Sequence, residues 1–446
     1  MRRIVRWWIS LLSLTIWLAG TSSASAANGS ALAEYKAPDG IVITSFSPTW
    51  TDQAKLKELH QELLQNTHGD EIKLLKQIEI HDDYPRGKGV AGQYIFQTIS
   101  NVLSSKQKMQ PGKIELYGGS EHQTVASFAH TLSHEYGHHV THYYTLKTDQ
   151  HPLTDAKYWK DTTYARMRGL TQDERVAVTD VDHRWQVAEI AAEDYVQLFG
   201  SPLAKAVTPF ESRVEQAMRG EEPAAVTWSG SMYNVQPQEN LLLPLASDVP
   251  GLYDFFYKQM QGQAGDYKPP AKPKLSLVSY SKQGEVGNQL DFTWSVEGEN
   301  KNYTYTLVTY KDDDLLAEPI VTRTAQQAHE ARYGPVVMRK GQYIYTYQEP
   351  SAKGVRHFKL YAFDEHGWVS QSPVLTVDMA NPSKVTESDN KVVPVPVEAP
   401  AASGGTFASG IAPEFLQPVL DVLGGLLNVL KALIEWIASF LQTVIG

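Results

Sequence analysis

The chain has 446 residues, a formal net charge of -10, 20% charged residues and no cysteine. The length is enough for two or three domains, and the 42% of hydrophobic residues excludes a wholly disordered chain. The absence of cysteine excludes disulfides, thiolate catalysis and cysteine-built metal sites, so any metal must be held by His, Asp or Glu, and the acidic balance argues against a nucleic-acid partner.

The first 26 residues have the pattern of a secretory signal peptide. A start with three arginines is followed by an apolar run over residues 7–20 and by small residues that include Ala24 and Ala26. This pattern predicts cleavage after Ala26. The alternative is an uncleaved membrane anchor, for which the run is short, because a span needs about 20 residues. We therefore expect a secreted, extracellular protein, and its acidic, cysteine-free composition is typical of Gram-positive bacterial exoproteins.

Residues 27–268 mix helical and strand patterns, which predicts an α+β domain. Leu56, Leu59 and Leu63, for example, recur at helical spacing. The predicted elements, in chain order, are a helix over 51–66, short strands over 94–98 and 113–117, a long helix over about 120–144 and a second helix near 184–199.

The long predicted helix contains the sequence His134-Glu135-Tyr136-Gly137-His138. Two histidines at positions i and i+4 lie on one face of a helix, so both imidazoles can reach a single ion. The glutamate that follows the first histidine points to the side of that ion, where a water molecule would bind. This His-Glu-x-x-His pattern is the signature of zinc peptidases.

The other residues of this predicted helix indicate which of its sides holds the metal site. A capping-box pattern at Ser120 and Gln123 predicts where the helix begins. The two signature histidines lie opposite an apolar stripe, which predicts that they face a cleft. The alternative is a His-rich surface helix, because three further histidines, at 130, 139 and 142, occur on it. The apolar stripe consists of Val125, Phe128, Leu132, Tyr136, Val140 and Tyr143.

The third ligand is expected from the next helix. Tyr144 stands where metzincins place a third histidine, whereas the second predicted helix presents Glu189 and Glu193. With this arrangement the chain resembles the gluzincin metallopeptidases, the group that contains thermolysin, over about residues 110–200. The resemblance implies an α+β zincin-like catalytic domain in which Glu189 is the metal ligand and Glu193 orients a ligand histidine. The alternative is the reverse assignment, with Glu193 as the ligand.

The resemblance also implies a mechanism. One catalytic Zn2+ on the two histidines and Glu189 would activate a water, and Glu135 would be the general base that hydrolyses a peptide bond of a protein or peptide substrate. The strand over 113–117 is a candidate edge for binding an extended peptide, with a plain internal strand as the alternative. Candidate donors to the developing oxyanion, all near the third ligand, are His183, Tyr195 and Arg184.

Residues 269–380 change to short strands of alternating polarity. Phe292, Trp294 and Val296 alternate with polar residues, and the same pattern recurs at 343–347. This pattern predicts an all-β sandwich and resembles immunoglobulin-like or fibronectin-type modules.

The last two segments differ again. Residues 381–411 are rich in Pro, Ala, Ser, Gly and Val, which predicts an extended linker. Residues 412–446 are apolar apart from a narrow polar stripe at helical spacing, which predicts an amphipathic helix. We expect this helix to dock on another part of the protein or to self-associate. Contact with a membrane or cell surface is the alternative, although the negative charge of the segment gives no attraction to anionic lipid.

Two functions of different classes follow from these patterns. The first is a secreted zinc-dependent endopeptidase whose sandwich is an accessory module. The second is a non-catalytic secreted adhesin or membrane-associating protein with a vestigial or structural zinc site. Glu135 discriminates between them, because a structural site does not need a base. A zymogen is a third hypothesis, for which the sequence identifies no processing site.

Overall fold

The computed structural model describes residues 30–387, apart from short gaps at 101–106, 222, 224–227, 229–231, 313, 315, 341 and 348–351, together with the backbone of 392–394. The predicted signal peptide, most of the predicted linker and the predicted C-terminal helix lie outside these residues. Among the described residues, no helix is long and apolar enough to cross a bilayer.

The first part of the chain, up to residue 268, is mixed α/β, as the sequence predicts. Its strands are β1 (Ala33–Lys36), β2 (Val42–Ser45), β3 (Leu75–Ile80), β4 (Gly92–Ile95), β5 (Thr98–Ser100), β6 (Gln107–Met109) and β7 (Gly112–Leu116). Its α-helices are α1 (Gln53–Leu63), α2 (Val125–Asp149), α3 (Thr163–Met167), α4 (Val187–Phe199), α5 (Arg213–Met218) and α6 (Leu252–Gln261). Short 3-10 helices cover Pro48–Trp50, Asp70–Leu74, Trp159–Asp161, Leu170–Gln172, His183–Trp185 and Ala246–Asp248.

The main sheet has the strand order β1-β2-β3-β7-β4. Strands β2, β3 and β7 run parallel, and β1 and β4 pair antiparallel at the two edges. Of the two alternatives for residues 113–117, the edge is therefore wrong and the internal strand is right, because β7 lies between β3 and β4. Ile114 and Leu116 of β7 face the core, whereas Lys113 and Glu115 point to the other face. The antiparallel edge strand beside β7 is β4.

Helix α2 begins at Val125, later than the sequence predicts. The Thr124 side chain accepts a hydrogen bond from the Ser127 N–H at 3.1 Å, and Ser127 Oγ accepts one from the Thr124 N–H at 3.2 Å. The predicted capping box that starts at Ser120 is wrong. Ser120 Oγ instead donates to Asp82 at 2.5 Å, which keeps it in the preceding loop.

Helix α2 lies in the middle of the first hydrophobic core. Its predicted apolar stripe is buried, except for Tyr143, which is half-buried. Helix α4 covers the opposite side, so His134 and His138 are only 8% and 9% exposed. The signature histidines therefore face a narrow, covered site instead of an open cleft.

Residues 274–387 form a β-rich region with two main sheets. Its strands, with the short β19 beyond them, are β8 (Lys274–Lys282), β9 (Asn288–Ser295), β10 (Thr304–Tyr310), β11 (Glu318–Thr324), β12 (Glu330–Tyr333), β13 (Val336–Lys340), β14 (Tyr343–Tyr347), β15 (Val355–Phe363), β16 (Val369–Gln371), β17 (Leu375–Asp378), β18 (Lys384–Glu387) and β19 (Val392–Pro394). One sheet has the order β11-β10-β15-β17-β18-β19, with β16 paired to β15, and the other has the order β12-β9-β8. Side chains of both sheets form one core, in which the rings of Phe292 and Phe358 lie 4.7 Å apart.

Residues 232–245, here called the bridging segment, lie in the first part of the chain and contact the β-rich region. The segment has no helix or strand, and it shares a hydrophobic cluster with β10, β15 and β16 of the β-rich region. The sequence did not predict this contact.

Candidate metal centre

Helices α2 and α4 pack directly on each other, and this contact brings the predicted site residues together. Gly137 allows the close approach, because a Cβ at this position would lie 2.8 Å from the carbonyl oxygen of Ala192. A larger residue would push the helices apart. The glycine within the signature sequence is therefore a packing requirement of the site.

His134, His138 and Glu189 form a compact cluster of potential ligand atoms. Nε2 of His134 and Nε2 of His138 each lie 3.1 Å from Oε2 of Glu189. The two imidazole rings are nearly perpendicular, at 88°, with their centroids 4.8 Å apart. Burial by itself raises the pKa of the Glu189 carboxyl, but the surrounding imidazoles, His138 foremost, lower it far below its usual value. The site therefore holds an ionised carboxylate between two imidazole nitrogens.

Glu193 contacts the other nitrogen of the His134 ring. Its Oε1 lies 2.6 Å from Nδ1 of His134, and its Oε2 lies 3.8 Å from Nε2 of His130. Burial alone would lower the pKa of His134, but the hydrogen bonds to Glu189 and Glu193 raise it well above its usual value. Because Glu193 contacts Nδ1 of His134 and Glu189 contacts Nε2, the geometry favours Glu189 as a metal ligand and Glu193 as the residue that orients the His134 ring.

Glu135 lies between α2 and the edge strand β4. A Cβ on Gly92 of β4 would lie 2.9 Å from Oε1 of Glu135, so the glycine leaves the space that this carboxylate occupies. Burial raises the pKa of Glu135, and the nearby imidazoles of His138 and His134 offset the effect only in part. A carboxyl group whose pKa is raised in this way is suited to accept a proton and return it.

His183 lies beside Glu189, so the structure brings this predicted residue to the cluster. Its Nε2 is 3.1 Å from Oε2 of Glu189, and its Nδ1 is 2.9 Å from Oε2 of Glu239. The hydrogen bonds to these two carboxylates raise the pKa of His183 to about 10. The exposed ring is therefore positively charged at neutral pH and can donate from both nitrogens.

Sequence reasoning missed Glu239. It belongs to the bridging segment, 56 residues after His183, where only tertiary packing could bring it close. The available signal was the density of amide side chains around it, since buried amide side chains commonly bond backbone groups of neighbouring segments. Asn240, for example, donates from Nδ2 to the carbonyl oxygen of Arg184 at 3.0 Å.

The structure does not place Tyr195 and Arg184 at the cluster, which corrects their prediction as oxyanion donors. Tyr195 is buried, and its hydroxyl donates to the carbonyl oxygen of Thr67 at 2.7 Å. Arg184 pairs through Nε with Asp182 at 2.9 Å. Their partners, Thr67 and Asp182, lie outside the cluster of His134, His138 and Glu189, so we assign both side chains a structural role.

The donor set of the cluster fits a zinc ion. Two imidazole nitrogens and a carboxylate converge, and a second carboxylate orients one imidazole, as catalytic zinc sites require. A second group, Glu79, His81 and Glu115, also has its ligand atoms within 4.8 Å of one another. There, however, Nζ of Lys113 lies 3.0 Å from Glu79 and 2.6 Å from Glu115, so an ammonium already occupies the position between the two carboxylates and offsets part of their charge. Among the described residues, Glu189 pairs with histidines alone.

A buried polar network fixes α2 against β4. The Glu71 carboxylate accepts hydrogen bonds from the hydroxyls of Tyr136 at 2.9 Å and Tyr144 at 2.6 Å. Burial lowers the pKa of His139 to about 4, so its ring is neutral. It donates from Nε2 to the Glu71 carbonyl oxygen at 2.7 Å and accepts at Nδ1 from the hydroxyl of Tyr94 on β4, also at 2.7 Å. The network thus sets the position of Glu135 relative to the sheet edge.

Comparisons with known proteins assign no function to the chain. A family model that carries only the description ":-like" matches residues 50–179, which is less than half of the chain. No curated protein matches the chain. Among solved structures, the glycoside hydrolase domain of Endo-D from Streptococcus pneumoniae R6 aligns at 13% identity, over 25% of this chain and 15% of that one, with a TM-score of 0.17. The chain thus spans a small part of that structure, and the similarity carries no argument about fold or activity.

Proposed function

We propose that this protein is a secreted zinc-dependent endopeptidase of the gluzincin type. The observation that carries the proposal is the convergence of Nε2 of His134 and Nε2 of His138 on Oε2 of Glu189, at 3.1 Å each. Glu135 adds a carboxyl group on the same helix, next to His134. A metal-binding triad with an adjacent base is the arrangement that hydrolysis of a peptide bond needs.

The residues that would hold the ion are His134, His138 and Glu189, with Glu193 keeping the His134 ring in orientation. When bound, zinc would polarise a peptide carbonyl and lower the pKa of a water molecule. An imidazole nitrogen binds zinc only in its unprotonated form, so zinc and protons compete for the cluster.

Two residues move or hold protons in this proposal. Glu135 takes a proton from the attacking water and passes it to the leaving amine, for which its raised pKa is suited. His183 donates from Nε2 to Oε2 of Glu189 at 3.1 Å, and on binding of a peptide this N–H would turn to the negative charge that develops on the carbonyl oxygen.

The proposed substrate is an extended peptide that lies along β4. This strand pairs with β7 on one side, and within the described residues no strand pairs with its other side. A peptide added there as a further strand would pass near Glu135, since that carboxylate occupies the space where a Cβ of Gly92 on β4 would lie. Strand addition recognises backbone groups, so it is compatible with cleavage of many sequences.

The proposal includes the finer architecture expected from the sequence. The first part would have a zincin-like fold, and residues 269–380 would be an immunoglobulin- or fibronectin-like module. Residues 412–446 would dock, self-associate or contact a cell surface. Removal of residues 412–446 should then change the oligomeric state or the membrane retention of the secreted protein, and no change in either would reject this role.

The test of the proposed function is zinc analysis together with a proteolysis assay on an unfolded protein. We expect about one zinc per chain in the wild type, in Glu135→Gln and in the exposed control Glu174→Gln. Hydrolysis should occur in the wild type and in the control but be lost in Glu135→Gln. Full activity of Glu135→Gln would contradict the base, and a wild type without zinc would reject the site. Zinc without any hydrolysis would favour the alternative of a structural site in a non-catalytic protein.

A further inference from the structure

The bridging segment (residues 232–245) is anchored on the β-rich region. Tyr233, Val235, Leu241 and Leu245 are buried in one hydrophobic cluster, and the hydroxyl of Tyr233 donates to the carbonyl oxygen of Gly367 at 3.0 Å. On the β-rich side the cluster contains Val308, Tyr310, Ala317, Tyr361, Phe363 and Val369. Because the segment has no helix or strand of its own, its position depends on such tertiary contacts, of which this cluster is the main apolar one.

The opposite side of the segment contacts the residues around the candidate metal centre. Glu239 holds Nδ1 of His183 at 2.9 Å, and Asn240 holds the carbonyl oxygen of Arg184 at 3.0 Å. Further along, the carbonyl oxygen of Pro244 accepts a hydrogen bond from Nη2 of Arg168 at 2.6 Å. The segment is thus bonded both to the 3-10 turn that carries His183 and to the interior beside α4.

Arg168 extends this connection to helix α4. Its guanidinium makes two hydrogen bonds to Asp194, from Nε at 2.8 Å and from Nη2 at 3.1 Å. Asp194 directly follows Glu193, whose carboxylate orients the ring of His134. The bridging segment is therefore connected to His183 through Glu239. It is also connected, through Arg168 and Asp194, to the turn of α4 that carries Glu193.

We propose that the β-rich region positions His183 for the reaction through the bridging segment, with Glu239 as the positioning residue. This inference rests on the proposed peptidase function. Its physical basis is that an exposed histidine on a short turn has several ring orientations, of which a carboxylate bonded to Nδ1 selects one. Glu239 can do this only if the segment is held in place, and the β-rich region holds it together with Gln197 of α4, which donates to the carbonyl oxygen of Pro237 at 3.1 Å. The β-rich region is then a part of the active site instead of a removable accessory module.

The first experiment tests whether Glu239 acts through His183. We expect Glu239→Gln to lower kcat about tenfold with KM changed less than about twofold, and to weaken binding of a phosphonamidate peptide, a stable tetrahedral mimic, about tenfold. His183→Ala should lower kcat about 100-fold, and Glu239→Gln should have no further effect in that background. Wild-type kcat in Glu239→Gln, or additive effects in the double variant, would overturn the proposal.

The second experiment tests the role of the β-rich region with two matched valines. Val308 lies in the cluster with the bridging segment, and Val377 lies in the separate core of the β-rich region, both fully buried. Val308→Ala should lower kcat about threefold and, in metal-free protein, speed deuterium exchange about tenfold over residues 183–199. Val377→Ala should leave kcat and the exchange rate unchanged, although it should lower Tm by about as much as Val308→Ala does. Equal effects of the two variants on these quantities would overturn the positioning role.

These experiments distinguish the inference from the proposed function. Absence of hydrolysis in the wild type rejects the peptidase. The exchange measurement needs neither metal nor substrate, so it still decides whether the β-rich region restrains the turn of His183. Normal hydrolysis with unchanged exchange in Val308→Ala rejects the inference and leaves the peptidase intact.

Discussion

Glu193 holds His134 by its Nδ1, at 2.6 Å, while Nε2 of the same ring meets Glu189 at 3.1 Å. One imidazole therefore lies between two carboxylates from successive turns of α4. Only the nitrogen that faces Glu189 also faces the second histidine, His138. This asymmetry is the basis for assigning Glu189 as a metal ligand and Glu193 as the residue that orients the His134 ring.

We predict that Glu193→Gln weakens zinc affinity about 10- to 100-fold, because the amide holds Nδ1 less strongly and leaves the ring less basic. Glu189→Gln should weaken it more, since it removes an anionic ligand. Competition with a chromogenic chelator measures both, with the exposed Glu174→Gln as the control. A stronger loss in Glu193→Gln than in Glu189→Gln would support the reverse assignment.

The buried network under α2 gives a prediction about stability. Glu71 is fully buried, and it accepts hydrogen bonds from Tyr136, Tyr144 and the Gly69 N–H. Glu71→Ala leaves these donors unsatisfied, so we expect the free energy of unfolding to fall by about 3 kcal/mol. Urea denaturation measures it, and the exposed Glu58→Ala should stay within about 0.5 kcal/mol of the wild type. A loss as small as that of the control would show that the network is not stabilising.

The close contact of α2 with α4 predicts the effect of one added methyl group. In Gly137→Ala the new Cβ would meet the carbonyl oxygen of Ala192 at 2.8 Å, a backbone atom that cannot swing away. The gain in helix propensity offsets part of the strain, so we expect a net loss of about 1–2 kcal/mol together with weaker zinc binding. Gly89→Ala, where the added Cβ meets no atom within 4 Å, is the control. Zinc affinity equal to that of the wild type would contradict the packing requirement.

A buried lysine of the β-rich region predicts a pH dependence of stability. Burial lowers the pKa of Lys359 from 10.5 to about 8, although Asp248 opposes the effect. Between pH 8 and 10.5 the unfolded chain still binds the proton that the folded chain has released, so stability rises with pH over this interval. Below pH 8 both states carry the charge, and the folded protein bears the full penalty of burying it.

Lys359→Met removes that penalty, so it should raise the free energy of unfolding at pH 7 by about 2 kcal/mol. The rise of stability between pH 8 and 10.5 should shrink, with a remainder from Lys205, whose pKa burial also lowers to about 8. Thermal denaturation across this pH range measures both effects, with the exposed Lys384→Met as the control. A destabilised Lys359→Met at pH 7 would contradict the assignment, and it would show that the contacts of the ammonium with the rings of Tyr310 and Tyr361 outweigh its burial.

The parts of the site that depend on local spacing were predictable from the sequence. His134 and His138 share a face because they are four residues apart in a helix, and the same holds for Glu189 and Glu193. Asp194, one residue after Glu193, lies on another face of α4 and pairs with Arg168. Helical periodicity alone is enough to predict which of these side chains share a face, since each pair lies within one helix.

Relationships between distant segments were not predictable in the same way. The edge position of β4 depends on its pairing with β7, and the strand order of a sheet is not visible in the pattern of either strand. The helix start was misplaced because Asp82, far away in the sequence, takes the hydroxyl of Ser120. Glu239 was missed because packing on the β-rich region, not sequence proximity, brings it to His183.

The most direct test of the central claim is anomalous X-ray diffraction at the zinc edge, from crystals of the protein grown with zinc. We predict one strong peak at about 2.0–2.2 Å from Nε2 of His134, Nε2 of His138 and a carboxylate oxygen of Glu189. A peak at the second cluster of Glu79, His81 and Glu115 instead, or no peak at the first, would contradict it.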